Sequence, residues 1–149
     1  MRILGIDPGA HTGLAFFDGG QLTDLATIEP HKLERSLAEW HPAAVIFEDS
    51  RLSSHAWTTA AGAKAVAIKM ARNIGEIDAY CRIIVLLCGE LGIAALGISP
   101  KDKGAKLNAA SFAAISKWDR QSNQHERDAA MVAWAYRRGL MVNQRGKNA

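Results

Sequence analysis

Three acidic residues far apart in the chain, Asp7, Glu48 and Asp128, are the groups whose types and settings could do chemistry together. Asp7 closes the apolar run Arg2-Ile3-Leu4-Gly5-Ile6 and is followed by Pro8-Gly9. Glu48 closes a second apolar run, Ala43 to Phe47, and Asp128 lies in His125-Glu126-Arg127-Asp128-Ala129-Ala130. A carboxylate delivered at the end of a buried strand is costly unless it is paired or bound to a metal. Hard oxygen ligands gathered from separate elements suit Mg²⁺ or Mn²⁺, which keep waters and substrate phosphate in their shells. Two such ions about 3.5–4 Å apart clamp the attacking and leaving oxygens of an in-line phosphodiester displacement. His125 and Asp128, three apart near a helix start, project from one face of that helix.

Each of these residues also has a plainer reading. Asp-Pro-Gly is a common turn sequence, so Asp7 could cap a turn. Asp49 competes with Glu48, and since successive strand residues point to opposite faces, one of the two is expected at the site; Glu48 is preferred. Asp128 could simply favour the positive end of its helix. Asn123-x-x-Glu126 reads as a capping box, which removes Glu126 from the candidates. His125 is open between ligand and hydrogen-bond partner of a ligand.

The elements that must position these residues follow from patterning. Arg2 to Ile6 is a buried strand closed by Asp7-Pro8-Gly9. Leu14–Asp18 and Gln21–Ile28 flank Gly19-Gly20, a hairpin signal, so the first three strands form an antiparallel meander. Pro30 and His31 open a short helix with Leu33, Leu37 and Trp40 on its apolar face, ended by His41-Pro42. The Ala43–Phe47 strand leads into a polar, irregular Ser50–Thr59 stretch. A long helix is expected from about Ala60 to Leu91, interrupted or weakened near Asn73-Ile74-Gly75. Ile93–Ile98 is a fifth strand, Leu107–Trp118 a helix with Phe112 and Ile115 inward, and Glu126–Arg138 the last helix. Strand–helix–strand connections are right-handed, so the fourth and fifth strands run parallel to the first. The fold class is therefore α/β: a five-stranded mixed sheet flanked by helices, with the strand-end acids at one sheet edge.

Composition bounds the rest. The 149 residues, 48% of them hydrophobic, suit one globular domain spanning 1–149. Lys+Arg number 18 against 15 Asp+Glu, but the excess gathers in Lys101, Lys103 and Lys106 and in Arg137, Arg138, Arg145 and Lys147, which is compatible with a polyanion. The lysine cluster could equally be a solvated loop. Cys81 and Cys88, about 10 Å apart along one helix, are too far apart for a disulfide and read as buried thiols in a reducing compartment. No stretch is long and apolar enough for a membrane span, and the N-terminal run reads as a strand, not a signal peptide. Trp57 and His55 could stack on bases or merely pack on the surface. Trp40, Trp118 and Trp134 read as core or dimer contacts.

Ile6-Asp7-Pro8-Gly9 with Thr12-Gly13, Ile46-Phe47-Glu48-Asp49 and His125-x-x-Asp128-Ala129 together resemble the acidic motifs of RuvC-type Holliday-junction resolvases, of the ribonuclease H-like superfamily. Asn73-Ile74-Gly75-Glu76-Ile77 and the segment from Ile98-Ser99-Pro100 to Lys106 resemble that family's central helix and lysine-bearing loop. The resemblance implies a ribonuclease H-like fold and a crossover junction endodeoxyribonuclease with two Mg²⁺ ions per site, Mn²⁺ substituting. It implies Asp7 as bridging ligand, Glu48 and Asp128 beside it, and His125 as a possible fourth ligand. A lysine would approach the scissile phosphate, with Lys106 and Lys103 the leading choices over Lys101. These three, with Arg51, are the expected DNA contacts. It further implies a homodimer acting on branched DNA, a 5′-phosphate product, and a cytoplasmic setting in a bacterium or a phage-infected host. The first helix is shorter than the family's, and Arg51–Met70 matches only in position, so flap, single-stranded or hybrid substrates stay open. Two other classes remain: a non-catalytic DNA-binding module, and an actin-like ATPase, for which the chain has room for only one of two domains.

Overall fold

The computed structural model describes residues 1–53 and 64–140. Five strands, β1 (Arg2–Asp7), β2 (Thr12–Asp18), β3 (Gln21–Ile28), β4 (Ala44–Glu48) and β5 (Ala94–Ile98), form one sheet in the order β3-β2-β1-β4-β5. β1–β2 and β2–β3 are antiparallel, and β1–β4 and β4–β5 are parallel, which is the mixed sheet expected from the sequence. The β2–β3 hairpin turns on Gly19 and Gly20, at φ 58° and 85°; two successive positive φ values are what a type I′ turn demands.

Strand alternation sorts the residues onto two faces. Leu4, Ile6, Leu14, Val45 and Phe47 face one layer, made by α1 (Leu33–Trp40) and α2 (Lys64–Leu91) through Leu33, Leu37, Cys81, Ile84 and Cys88. Ile3, Ala15, Phe17, Ala44 and Ile46 face the other, made by α3 (Ala109–Ser116) and α4 (Gln124–Ala133) through Phe112, Ala129, Ala130 and Ala133. In the same parity Asp7 and Glu48 fall on the α4 face, and Asp49 falls on the α2 face. Two glycines let α4 lie directly on the strands. A Cβ on Gly5 would stand 2.1 Å from the carbonyl oxygen of Ala129, and one on Gly13 would stand 2.0 Å from that of His125.

Three helices differ from expectation. α2 runs without interruption through Asn73-Ile74-Gly75; a Cβ on Gly75 would meet nothing within 4 Å, so that glycine costs only its propensity, about 1 kcal/mol. α3 begins at Ala109 because Asn108 caps it, accepting from the Ser111 amide at 2.8 Å, and Ile115 is 45% exposed rather than inward. α4 begins at Gln124, with Asn123 and Glu126 forming the anticipated capping box, and passes into a single 3₁₀ turn at Trp134–Tyr136 instead of continuing to Arg138. His55, Trp57, the first turns expected of the long helix, Arg145 and Lys147 lie outside the described residues. Among the described residues no helix is long and apolar enough to cross a membrane.

Candidate active site

β1 and β4 are adjacent and parallel, so their C-terminal ends deliver Asp7 and Glu48 to the same sheet edge, under the first turns of α4. Asp128 reaches that edge from α4 with its side chain only 7% exposed. Its Oδ1 accepts a hydrogen bond from Gln124 Nε2 at 2.8 Å, one helical turn earlier. His125 Nδ1 lies 3.1 Å from Asp7 Oδ2, joining α4 to β1. The N-terminus of α4 is further bolted to β3: Asn123 Nδ2 donates to Thr27 Oγ1 at 2.7 Å, and Thr27 Oγ1 donates to Glu126 Oε1 at 3.3 Å.

The fifth member is Lys103. After β5, Ser99 and Pro100 start a 3₁₀ turn over Pro100–Asp102, and Lys103 follows at its end. Arg127 Nε donates to the carbonyl of Leu107 at 2.9 Å, holding the far end of this loop to α4. The Lys103 ammonium meets Glu48 Oε2 directly and stands 3.8 Å from Asp128 Oδ2. Among the described residues Glu48 Oε2 has no other partner, so Lys103 is what answers its charge.

The electrostatics follow from this crowding. Burial pushes the Asp7 carboxyl above its ordinary range; the His125 hydrogen bond and the Lys103 charge oppose that, while Asp128 and Glu48 add to it. Burial pulls the Lys103 ammonium down, but contact with Glu48 and the charges of Glu48, Asp128 and Asp7 outweigh it, so Lys103 titrates above its ordinary value. It is a firm cation at neutral pH.

The structure thus brings together Asp7, Glu48, Asp128, His125 and Lys103. Lys101 and Lys106 are exposed on the same loop. Arg51, expected as a DNA contact, forks onto Asp49, Nε to Oδ1 and Nη2 to Oδ2, both at 2.8 Å, with its side chain still 34% exposed. Asp49 is 4% exposed on the opposite face from Glu48, and the Arg51 guanidinium beside it holds its carboxyl below the usual range. Cys81 and Cys88 are free and buried, and burial pushes the Cys88 thiol up to about 11. Two site neighbours escaped sequence reasoning. Gln124, four residues before Asp128 on the same helix, could have been found by spacing. His11, whose ring lies 5.8 Å from that of His125, carries no such signal.

Among the described residues, no three His, Cys, Asp or Glu side chains stand close enough as they are to hold a metal ion. The donor set nonetheless fits one. Glu48 Oε2 is a buried, orphaned oxygen, and the charge that meets it belongs to a lysine spanning Glu48 and Asp128. A hard divalent cation would supply twice that charge, with more oxygen coordination.

No family model and no curated protein matches the chain. Solved structures do. The chain is similar to Thermus thermophilus RuvC, at 17% identity and a TM-score of 0.61, covering 90% of this chain and 92% of that one. It is equally similar to T. thermophilus RuvC in complex with a Holliday junction substrate, at 16% identity and a TM-score of 0.61, with 90% of each chain covered. At this identity the likeness speaks for architecture alone, and the architecture is that of RuvC: a ribonuclease H-like mixed sheet with helices on both faces.

Proposed function

We propose that this chain is a metal-dependent endonuclease that cuts branched DNA, four-way junctions foremost. The observation that carries the reading is the meeting of Asp7, Glu48, Asp128 and His125 with one buried lysine, from four separate parts of the chain, at the sheet edge. Asp7, Glu48, Asp128 and His125 would hold two Mg²⁺ ions, with Mn²⁺ able to substitute; when bound, they activate water and neutralise charge on the phosphate.

The residues divide the remaining work. His125 orients the Asp7 carboxylate through its Nδ1 contact. Gln124 orients Asp128. Lys103 satisfies the acids before substrate arrives, and its ammonium is then free to turn to a non-bridging phosphate oxygen, where it offsets charge in the transition state. Exposed Lys101 and Lys106 supply sequence-independent attraction for the DNA backbone. Val66, Ile68, Met70, Ile83, Val85 and Leu86 of α2 are 41–61% exposed, and helical spacing puts Ile68, Ile83 and Leu86 on one side, an apolar strip suited to a second copy of the chain. A dimer would present two sites to the paired strands of a four-way junction.

The test is cleavage of labelled four-way junctions, flaps, duplexes, single strands and RNA–DNA hybrids with Mg²⁺ or Mn²⁺. Paired symmetric nicks on junctions, leaving 5′-phosphates and lost on Asp7→Asn while binding persists, are expected. Cutting confined to flaps, single strands or hybrids would keep the nuclease and replace the substrate. Tight junction binding with no cutting under either ion would leave a non-catalytic module.

A further inference from the structure

The segment that follows Glu48 is held far more firmly than an ordinary strand end. The Asp49 amide donates to the Ile98 carbonyl at 2.8 Å, extending the β4–β5 ladder one residue past Glu48. The Asp49 side chain packs on the bare backbone of Gly97, where a Cβ would stand 2.7 Å from Asp49 Oδ2. Arg51 then covers that carboxylate with two guanidinium bonds, and its amide adds a third to Oδ1 at 3.1 Å. From the helix side, Cys81 Sγ lies 3.5 Å from the Glu48 carbonyl oxygen, and Ser50 Oγ donates to Asp78 Oδ1 at 2.6 Å.

Glu48 itself has no comparable support. Its Oε2 is buried and, among the described residues, meets only Lys103. An anionic side chain so placed gains by swinging out to water, and among the described residues that one ammonium is the only group on its carboxylate that opposes the swing. An ion pair with a partly exposed partner adds little net stability, and the Arg51 side chain is 34% exposed, so the pairing of Asp49 with Arg51 at this point is better explained by the geometry it imposes. We infer that Asp49, Arg51 and the bare Gly97 backbone form a clamp that positions Glu48 for the reaction. Arg51 therefore acts as a positioning residue on the face opposite the site, not as a DNA contact. In its use of Glu48 the inference rests on the nuclease reading proposed above; in its mechanical part it does not.

The experiment compares wild type with Arg51→Ala, Arg51→Lys and Asp49→Asn, using Arg35→Ala on α1 as control, since that arginine only pairs with Glu39 on the surface. Hydrogen exchange is measured on the peptide covering residues 44–53 and on one covering α4, alongside junction cleavage and junction affinity. The expected result is faster exchange confined to 44–53 in Arg51→Ala, with α4 protection unchanged. Cleavage turnover falls about 10–100-fold, the range seen when groups supporting metal ligands are lost, while junction affinity stays within about twofold. Arg51→Lys, keeping the charge but losing the fork, recovers part of the turnover. Unchanged exchange across 44–53 overturns the clamp whether or not the protein cuts DNA. Faster exchange with undiminished turnover overturns its link to Glu48, as does a loss of affinity equal to the loss of turnover, which would return Arg51 to the DNA. Failure of wild type to cut any substrate refutes the nuclease reading instead, and leaves the exchange result to decide the clamp.

Discussion

Replacing Lys103 by methionine keeps most of the aliphatic stem but removes the cation that Glu48 and Asp128 share. Those side chains are 22% and 7% exposed, so both carboxylates would be left facing one another with little water. Removing one partner of a buried pair costs about 3–5 kcal/mol, and the partial exposure of Glu48 places this case near about 3 kcal/mol. For a domain of this size a loss of 1 kcal/mol lowers Tm by about 2–4 °C, so Lys103→Met should melt roughly 6–12 °C below wild type in EDTA. Mn²⁺ should reverse much of that. A ligand at a hundred times its Kd adds about 2.7 kcal/mol, and in wild type part of this is spent displacing the ammonium from Glu48 Oε2. The Mn²⁺-induced rise in Tm is therefore larger in the variant than in wild type. Scanning calorimetry of both proteins with EDTA or Mn²⁺ measures all four values. A variant that melts within about 2 °C of wild type in EDTA, or that gains no more from Mn²⁺, would refute the view that lysine and metal answer the same buried charge.

Asp7→Asn should lose cleavage and yet melt higher than wild type at neutral pH. Burial raises the folded-state pKa of Asp7 above its ordinary 3.8, so its contribution to stability is complete below the unfolded pKa and is lost as pH rises through the folded one. The gap between variant and wild type should accordingly close in melts taken towards pH 3; a constant gap would contradict the assigned cause. Gly13→Ala forces a methyl to within 2.0 Å of the His125 carbonyl, an overlap with backbone that no rotamer relieves. We expect a loss of about 3 kcal/mol or more and of cleavage, read by urea unfolding and junction assay, and a wild-type midpoint would show that α4 is not seated on β2. Ile83→Glu with Leu86→Glu should convert a dimer to a monomer in sedimentation equilibrium and make Tm independent of protein concentration, since both residues are exposed on the single chain; an unchanged mass would remove α2 from the interface.

Much of the sheet edge was legible because its signals are local. Strand alternation alone put Glu48 and Asp49 on opposite faces, and the turn chemistry of Asp7-Pro8-Gly9 and Gly19-Gly20 marked where strands end. The α4 start was half read: the Asn123–Glu126 box was recognised, yet its own geometry puts the first helical residue at 124, not 126. What stayed hidden depends on contacts that no spacing encodes. Whether Lys103 or Lys106 reaches the acids is decided by a 3₁₀ turn and by Arg127 holding the Leu107 carbonyl twenty residues away in sequence. Arg51 is expected to contact DNA; its fork onto Asp49, two residues back, rests on side-chain contacts that the spacing does not specify, although the Arg51 amide bonding Asp49 Oδ1 is an ordinary Asx turn. Ile115 fitted a helical stripe, but α3 ends one residue later, at Ser116, with Lys117 at φ 61° closing it, too soon for the stripe to matter.

The alternation along β4 has a genetic corollary. Removing or adding a single codon between the start of that strand and position 48 would exchange the destinations of two neighbouring acids, sending the one matched to arginine toward the face of Asp7 and Asp128 and the other into the layer of α2. Such an indel would leave composition, charge and hydropathy almost untouched while disabling both halves of the molecule at once. Length variation among descendants of this chain should therefore collect outside the strand, where a residue more or fewer does not reassign an anion.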